Sequence, residues 1–132
     1  WCGSGSPYVD GLTTSWAVQH VYMNPPYARG QIEKWVEKAV TEVECGNCNL
    51  VVALLPVAVG TRWWRQWVAR ATEIRFLCSR VQFVGSTAGA KFESAVVVFR
   101  RGQLRPLWWT ASKQYQLGQT MFWDWRKAMR DD

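Results

Sequence analysis

The chain has one histidine, His20, and one C-x-x-C pair, Cys45 and Cys48. A structural zinc would need Cys2 and Cys78 to converge on that pair; reduced cysteines in an intracellular protein are the simpler reading. No apolar run approaches the ~20 residues that cross a bilayer. The first residues lack a basic stretch followed by an apolar one, so neither a membrane span nor a signal peptide is expected, and the protein reads as soluble and intracellular. Internal repeats and low-complexity tracts are also missing. Charged residues make up only 20% of the chain and apolar ones 48%, which excludes a disordered polyanion or polycation. At 132 residues the chain is long enough for one domain with a single core. Acids are the scarce charge: ten face sixteen lysines and arginines, and the net charge of +6 favours a polyanionic partner.

Tryptophan, by contrast, is abundant. Ten are present, with Trp63-Trp64, Trp108-Trp109 and Trp123/Trp125 clustered close to arginines. Aromatics interleaved with arginine suit base stacking and phosphate contact. A tryptophan-rich core with arginines at its rim accounts for the same pattern.

Residues 1–19, rich in Gly, Ser, Thr and Pro, read as an irregular lead-in. His20-Val21-Tyr22-Met23 reads as a short buried strand. After Gly30 the apolar positions Ile32, Trp35, Val36, Ala39, Val40 and Val43 recur at helical spacing, with Glu33, Lys34, Glu37, Lys38 and Glu42 on a solvated face. Gly46 and Asn47 end that helix. Leu50–Leu55 is a continuous apolar run closed by Pro56, the pattern of a central parallel strand buried on both faces. A second helix is expected over 61–71, with Trp63, Trp64, Trp67, Val68 and Ala71 inward and Arg62, Arg65 and Arg70 more exposed. Strands are expected at Glu73–Leu77, near Arg80–Val84, and at Ser94–Arg100, with a helix over Phe122–Arg130. The order predicts an α/β domain over 20–100 with a mostly parallel sheet and a closing antiparallel strand. Residues 101–132 read as a basic aromatic extension.

The chemically loaded segment is Asn24-Pro25-Pro26-Tyr27, at the turn from the first strand to the first helix. An exocyclic amine on an aromatic ring is a poor nucleophile because its lone pair is delocalised. Acceptors for both N–H groups let the nitrogen turn pyramidal and aim that lone pair at an electrophilic methyl group. Asn24 offers a side-chain carbonyl and Pro25 a backbone carbonyl, while two prolines stiffen the turn. Preorganised dipoles of this kind contribute a few kcal/mol. Tyr27 can stack on a base drawn out of its duplex. A rigid Pro-Pro turn under an aromatic lid is the purely structural alternative.

In their order and spacing, these pieces resemble the phage-type DNA N6-adenine methyltransferases, the Dam family, over residues 11–100. The resemblance runs through Asp10-Gly11-Leu12, Trp16, Tyr22–Tyr27, Trp35–Ala39, Val51–Pro56, Thr61–Trp64, Glu73–Leu77, Arg80–Phe83 and Phe92–Phe99. It implies transfer of a methyl group from S-adenosylmethionine to adenine N6 in DNA. Asn24 and Pro25 would accept from the amine, Pro26 would hold the turn and Tyr27 would stack. Arg29, Arg62, Trp63 and Arg80 are the candidate nucleic-acid contacts. Val57-Ala58-Val59-Gly60 and Cys78-Ser79-Arg80 depart from the family's usual residues, which touches substrate contacts more than fold.

A Rossmann-like methyltransferase holds its cofactor on a strand that runs into a glycine-rich turn and helix, with an acid at the end of the next strand. Cys2-Gly3-Ser4-Gly5 has no preceding strand, and Gly85–Gly89 leads into a strand, so both read as loops. The match is to the C-terminal, catalytic half of the family pattern, and the cofactor half is expected upstream of Trp1 or on a second polypeptide. The alternative is a degenerate, non-catalytic relative that binds nucleic acid or serves as a subunit of a larger assembly with other protein chains. Asn-Pro-Pro-Tyr also serves enzymes that methylate protein glutamine or RNA adenine; the downstream match favours DNA adenine and the positive charge favours nucleic acid over protein, while RNA stays open as an alternative because nothing in the sequence reads a 2′-hydroxyl.

Overall fold

The structure, a computed structural model, describes residues 10–81, 92–105 and 119–123. Residues 10–17 form turns and extended chain that dock on the first helix. Gly11 sits where a Cβ would come within 2.9 Å of the Trp35 ring, and its carbonyl accepts from Trp16 Nε1 at 2.8 Å. Strand β1 (Val18–Met23) then leads through the Asn-Pro-Pro-Tyr turn into helix α1 (Gln31–Glu44). Gly30, at φ 82°, makes the reversal into α1 in a conformation that costs a side-chain-bearing residue energy. The far end closes as a Schellman motif: Gly46 N–H donates to Val43 O and Asn47 N–H to Glu42 O, with Gly46 at φ 80°. The expected helix and its Gly46-Asn47 stop are both present.

Strand β2 (Cys48–Pro56) is followed by a short helix α2 (Arg62–Gln66), a 3₁₀ turn (Val68–Arg70), and strands β3 (Glu73–Leu77), β4 (Ser94–Arg100) and β5 (Gln119–Trp123). Thr61 caps α2 by accepting from the Trp64 N–H. The single helix expected over 61–71 is thus two pieces. It breaks at Trp67, which is at φ −116°, and the chain tightens into the 3₁₀ turn there.

The sheet order is β1-β2-β4-β3-β5. β1 pairs with β2 and β3 with β5 in parallel, whereas β4 runs antiparallel to both β2 and β3. This corrects the expectation of a mostly parallel sheet. Ser94–Arg100 does not close an edge; it fills the centre, which its buried positions on both faces require. The expected helix over Phe122–Arg130 is also corrected at its start, since Phe122 and Trp123 belong to β5, and 124–130 lie outside the described residues. Of the run expected near Arg80–Val84, Arg80 and Val81 are irregular and the rest lies outside the described residues.

One face of the sheet carries the core. In register across it lie Val21, Val51 and Phe99, then Met23, Ala53, Val97 and Ile74, then Leu55 and Ala95, each 4% exposed or less. Val36, Ala39, Val40 and Val43 of α1 pack on them, and Trp64 of α2 stacks on Phe76 with ring centroids 6.2 Å apart. The opposite face, with Leu50, Val52, Leu54 and Val96, is only partly covered among the described residues, and Tyr22 is 60% exposed. β2 is therefore buried on one face rather than two, because α1 and α2 both pack on the core side.

Two charged positions expected at the surface are buried. Glu42 accepts from the Trp16 N–H at 3.2 Å and from Lys38 Nζ. Arg70 donates to Arg105 O and Glu44 Oε1, both at 2.7 Å. Each is buried with its hydrogen bonds made, as buried charges must be.

Candidate active site

The strand directions gather one set of loops. β1, β2, β3 and β5 all point the same way, so the turns after β1, β2 and β3 and the segment entering β4 share one end of the sheet. Ligands of α/β sheets sit beyond the carboxyl ends of the strands. At that end lie Asn24–Tyr27 and Arg29 after β1, Arg62 and Trp63 at the start of α2, and Arg80 after β3. The eight residues singled out in the sequence thus share one rim, and of them Asn24 and Tyr27 are in direct contact.

The Asn-Pro-Pro-Tyr turn is seated by Pro25, which is buried, leaving Asn24 and Pro26 exposed. Tyr27 is half-buried. Its hydroxyl oxygen lies 2.8 Å from the Leu54 carbonyl on β2 and 2.9 Å from Asn24 Oδ1. The ring meets Phe92 edge-on, with centroids 5.4 Å apart and planes at 63°. Burial, and secondarily the neighbouring Tyr22, pushes the Tyr27 hydroxyl up to about 12, so it stays protonated and acts as a donor at any ordinary pH. Leu54, Phe92 and Glu93 were read as parts of strands and of the resemblance but not as candidate site residues. Their part in the site is set by strand pairing, in which β4 begins beside the end of β2 and Val57 N–H donates to Glu93 O.

Arg80 faces Glu93 at 3.5 Å, and both side chains are more than half exposed, a pairing worth about 0–1 kcal/mol. Its charge is therefore partly answered within the protein. Arg29 is exposed and Arg62, also exposed, donates to Gln66 Oε1 at 3.3 Å; neither forms an ion pair among the described residues. Trp63 is partly buried, edge-on to Trp64 with centroids 5.8 Å apart, and packs against the core. Positive charge is not confined to this rim, for exposed Arg100 and Arg101 lie at the opposite end of β4. Cys45 is exposed and Cys48 buried, and among the described residues no cluster of three or more His, Cys, Asp or Glu side chains is arranged to hold a metal. No helix among the described residues is long and apolar enough to cross a membrane.

This rim carries the Asn24 carboxamide in contact with the anchored Tyr27 hydroxyl, and Arg29 and Arg62 are exposed on turns at the same end of the sheet. The rim offers less for a nucleoside cofactor. Among the described residues no strand runs into a glycine-rich turn and helix: the turn after β1 holds prolines, and that after β2 is Val57–Gly60. Gly85–Gly89 lies outside the described residues.

Residues 6–117 match the family described as DNA N-6-adenine-methyltransferase (Dam). That span covers most of the chain, and the protein belongs to this family. No curated protein matches the chain.

Proposed function

We propose that this chain supplies the acceptor half of a DNA adenine-N6 methyltransferase. The observation that carries the reading is the Asn24–Tyr27 turn: its prolines fix the backbone, Pro25 is buried, and Asn24 is left exposed at the carboxyl end of β1 beside the tethered Tyr27. Membership of the family supports DNA adenine as the acceptor. In this reading the Asn24 side-chain carbonyl and the Pro25 backbone carbonyl each accept one N–H of the adenine amine. The nitrogen is thereby held pyramidal and its lone pair is freed from the ring. Tyr27 provides the face on which the extruded base rests, and that base leaves the duplex at a cost of a few kcal/mol. Arg29 and Arg62 take phosphate contacts, with Trp63 and Arg80 at the flanks.

The methyl group comes from S-adenosylmethionine. The described residues do not form its cradle, so it is bound by residues outside them or by a second polypeptide. β1 is the edge of the described sheet, and its unpaired backbone side suits extension of the sheet from β1 into a Rossmann-like whole. The test is incubation of the full-length protein with labelled S-adenosylmethionine and, separately, duplex DNA, RNA and a glutamine-containing peptide. N6-methyladenine in the DNA alone is expected. Label in RNA or peptide instead, or in none of the three, would overturn the proposal.

A further inference from the structure

We propose that Tyr27 is a positioning residue for Asn24: tethered to the Leu54 carbonyl, its hydroxyl receives a hydrogen bond from the Asn24 carboxamide N–H and so turns Asn24 Oδ1 toward the substrate amine. This deepens the acceptor reading given above and rests on it. The Tyr27 hydroxyl has two oxygen neighbours, Leu54 O at 2.8 Å and Asn24 Oδ1 at 2.9 Å. A hydroxyl has one proton and two acceptor lone pairs, so it donates to one neighbour only. The Leu54 carbonyl is an acceptor and nothing else. It takes the proton, and the carboxamide must then present its other end, with Nδ2–H donating to the Tyr27 oxygen. The oxygen and nitrogen of a carboxamide have nearly the same shape, and its hydrogen-bonding partners decide which way it turns.

The alternative fails twice. If Asn24 Oδ1 took the phenolic proton, Leu54 O would face a bare phenol oxygen at 2.8 Å. The Asn24 NH₂ would then point outward, setting donors against an amine whose N–H groups are donors too. In the proposed arrangement every hydrogen bond has a donor and an acceptor, and the free oxygen faces the exposed side of the turn.

Two further features make the tether stiff. Phe92 braces the Tyr27 ring edge-on, so the hydroxyl cannot swing away without losing that contact. Burial keeps the hydroxyl protonated, so the donor to Leu54 O is present at all working pH values. The tyrosine thus has two separable jobs: its ring faces the base, and its hydroxyl aims the asparagine. Phenylalanine at this position would keep the first and lose the second.

The test uses the full-length protein and its Tyr27→Phe variant, with two readouts. The first is solvent exchange of the Asn24 side-chain NH₂ protons by NMR, in protein labelled at its asparagines Asn24, Asn47 and Asn49. The proposal expects slow exchange in the wild type and about tenfold faster exchange in Tyr27→Phe, with the backbone signals of α1 unmoved as the folding control. The second is steady-state methylation of a DNA duplex: kcat about tenfold lower, with KM for DNA within about twofold. Fast, solvent-like exchange of Asn24 in the wild type would overturn the proposal. So would Tyr27→Phe kinetics in which KM rises and kcat is unchanged, since the tyrosine would then act through its ring alone. An Asn24→Ala variant that still methylates adenine defeats the acceptor reading instead. The exchange measurement on the wild type decides the Tyr27–Asn24 contact in either case.

Discussion

Replacing Glu42 by alanine removes a buried carboxylate that joins two parts of the domain. Its carboxylate holds the Trp16 N–H at 3.2 Å and the Lys38 ammonium, fastening the segment before β1 to the middle of α1. Without it the Trp16 N–H is left buried and unsatisfied, which costs about 1–3 kcal/mol. Lys38, 16% exposed against 5% for Glu42, can reach water with its head group, so its loss adds only about 1 kcal/mol. The expected sum is about 2–4 kcal/mol, a large share of the ~5–15 kcal/mol by which domains of this size are stable. The pH dependence follows from the same contacts. Burial acts to raise the Glu42 pKa, but hydrogen bonds from Lys38, Asn47 and the Trp16 backbone outweigh it and hold the carboxyl below its ordinary 4.5. A carboxyl lowered in the folded state stabilises the fold above its unfolded pKa, and that contribution is lost as pH falls through the folded pKa. Urea unfolding of wild type, Glu42→Ala and Glu42→Gln at pH 7 and at a series of values below 4.5 reads both effects. Glu42→Gln keeps an acceptor for Trp16, so it should lose about 1–2 kcal/mol at pH 7 and flatten the acid slope. A loss below ~0.5 kcal/mol in Glu42→Ala, with the acid slope unchanged, would refute the reasoning.

Trp64→Ala should cost about 3–5 kcal/mol in the same assay, because the indole is 1% exposed and stacks on Phe76. Arg29→Ala and Arg62→Ala should each weaken DNA binding and lower the slope of log K against log salt by about one phosphate's worth, whereas Arg101→Ala, at the far end of β4, should leave the slope unchanged. An equal effect of Arg101→Ala would mean that the DNA runs over more than the strand-end rim.

The elements most legible in the sequence were those whose signal is local. The 3–4 spacing from Ile32 to Val43, the Gly46 stop and the apolar run at 50–55 all depend on neighbours within a few residues, and all three stand in the structure. The placement of β4 was not legible. A run buried on both faces says that a strand is internal, not which strands flank it, and the pairings to Leu50–Pro56 and Glu73–Phe76 are long-range. Glu42 and Arg70 were misjudged for the same reason: their partners Trp16 and Arg105 lie 26 and 35 residues away in the chain. Of the candidate site, the place of Asn-Pro-Pro-Tyr as the turn between β1 and α1 could be read from residue types, because two prolines end a strand and cannot continue its ladder. The tether to the Leu54 carbonyl could not, since a backbone acceptor leaves no mark in the side-chain sequence.

The most direct test of the account is the methylation of adenine by Asn24→Ala. Full-length wild type and variant, each shown to be folded by circular dichroism, are incubated with S-adenosylmethionine and duplex DNA, and N6-methyladenine is counted by mass spectrometry. The account predicts methylation by the wild type and a loss of about 10²-fold or more in the variant, since a preorganised group at the reacting atom has gone. Methylation by Asn24→Ala within about twofold of wild type would contradict it, because the Asn24 carbonyl would then have no part in holding the amine.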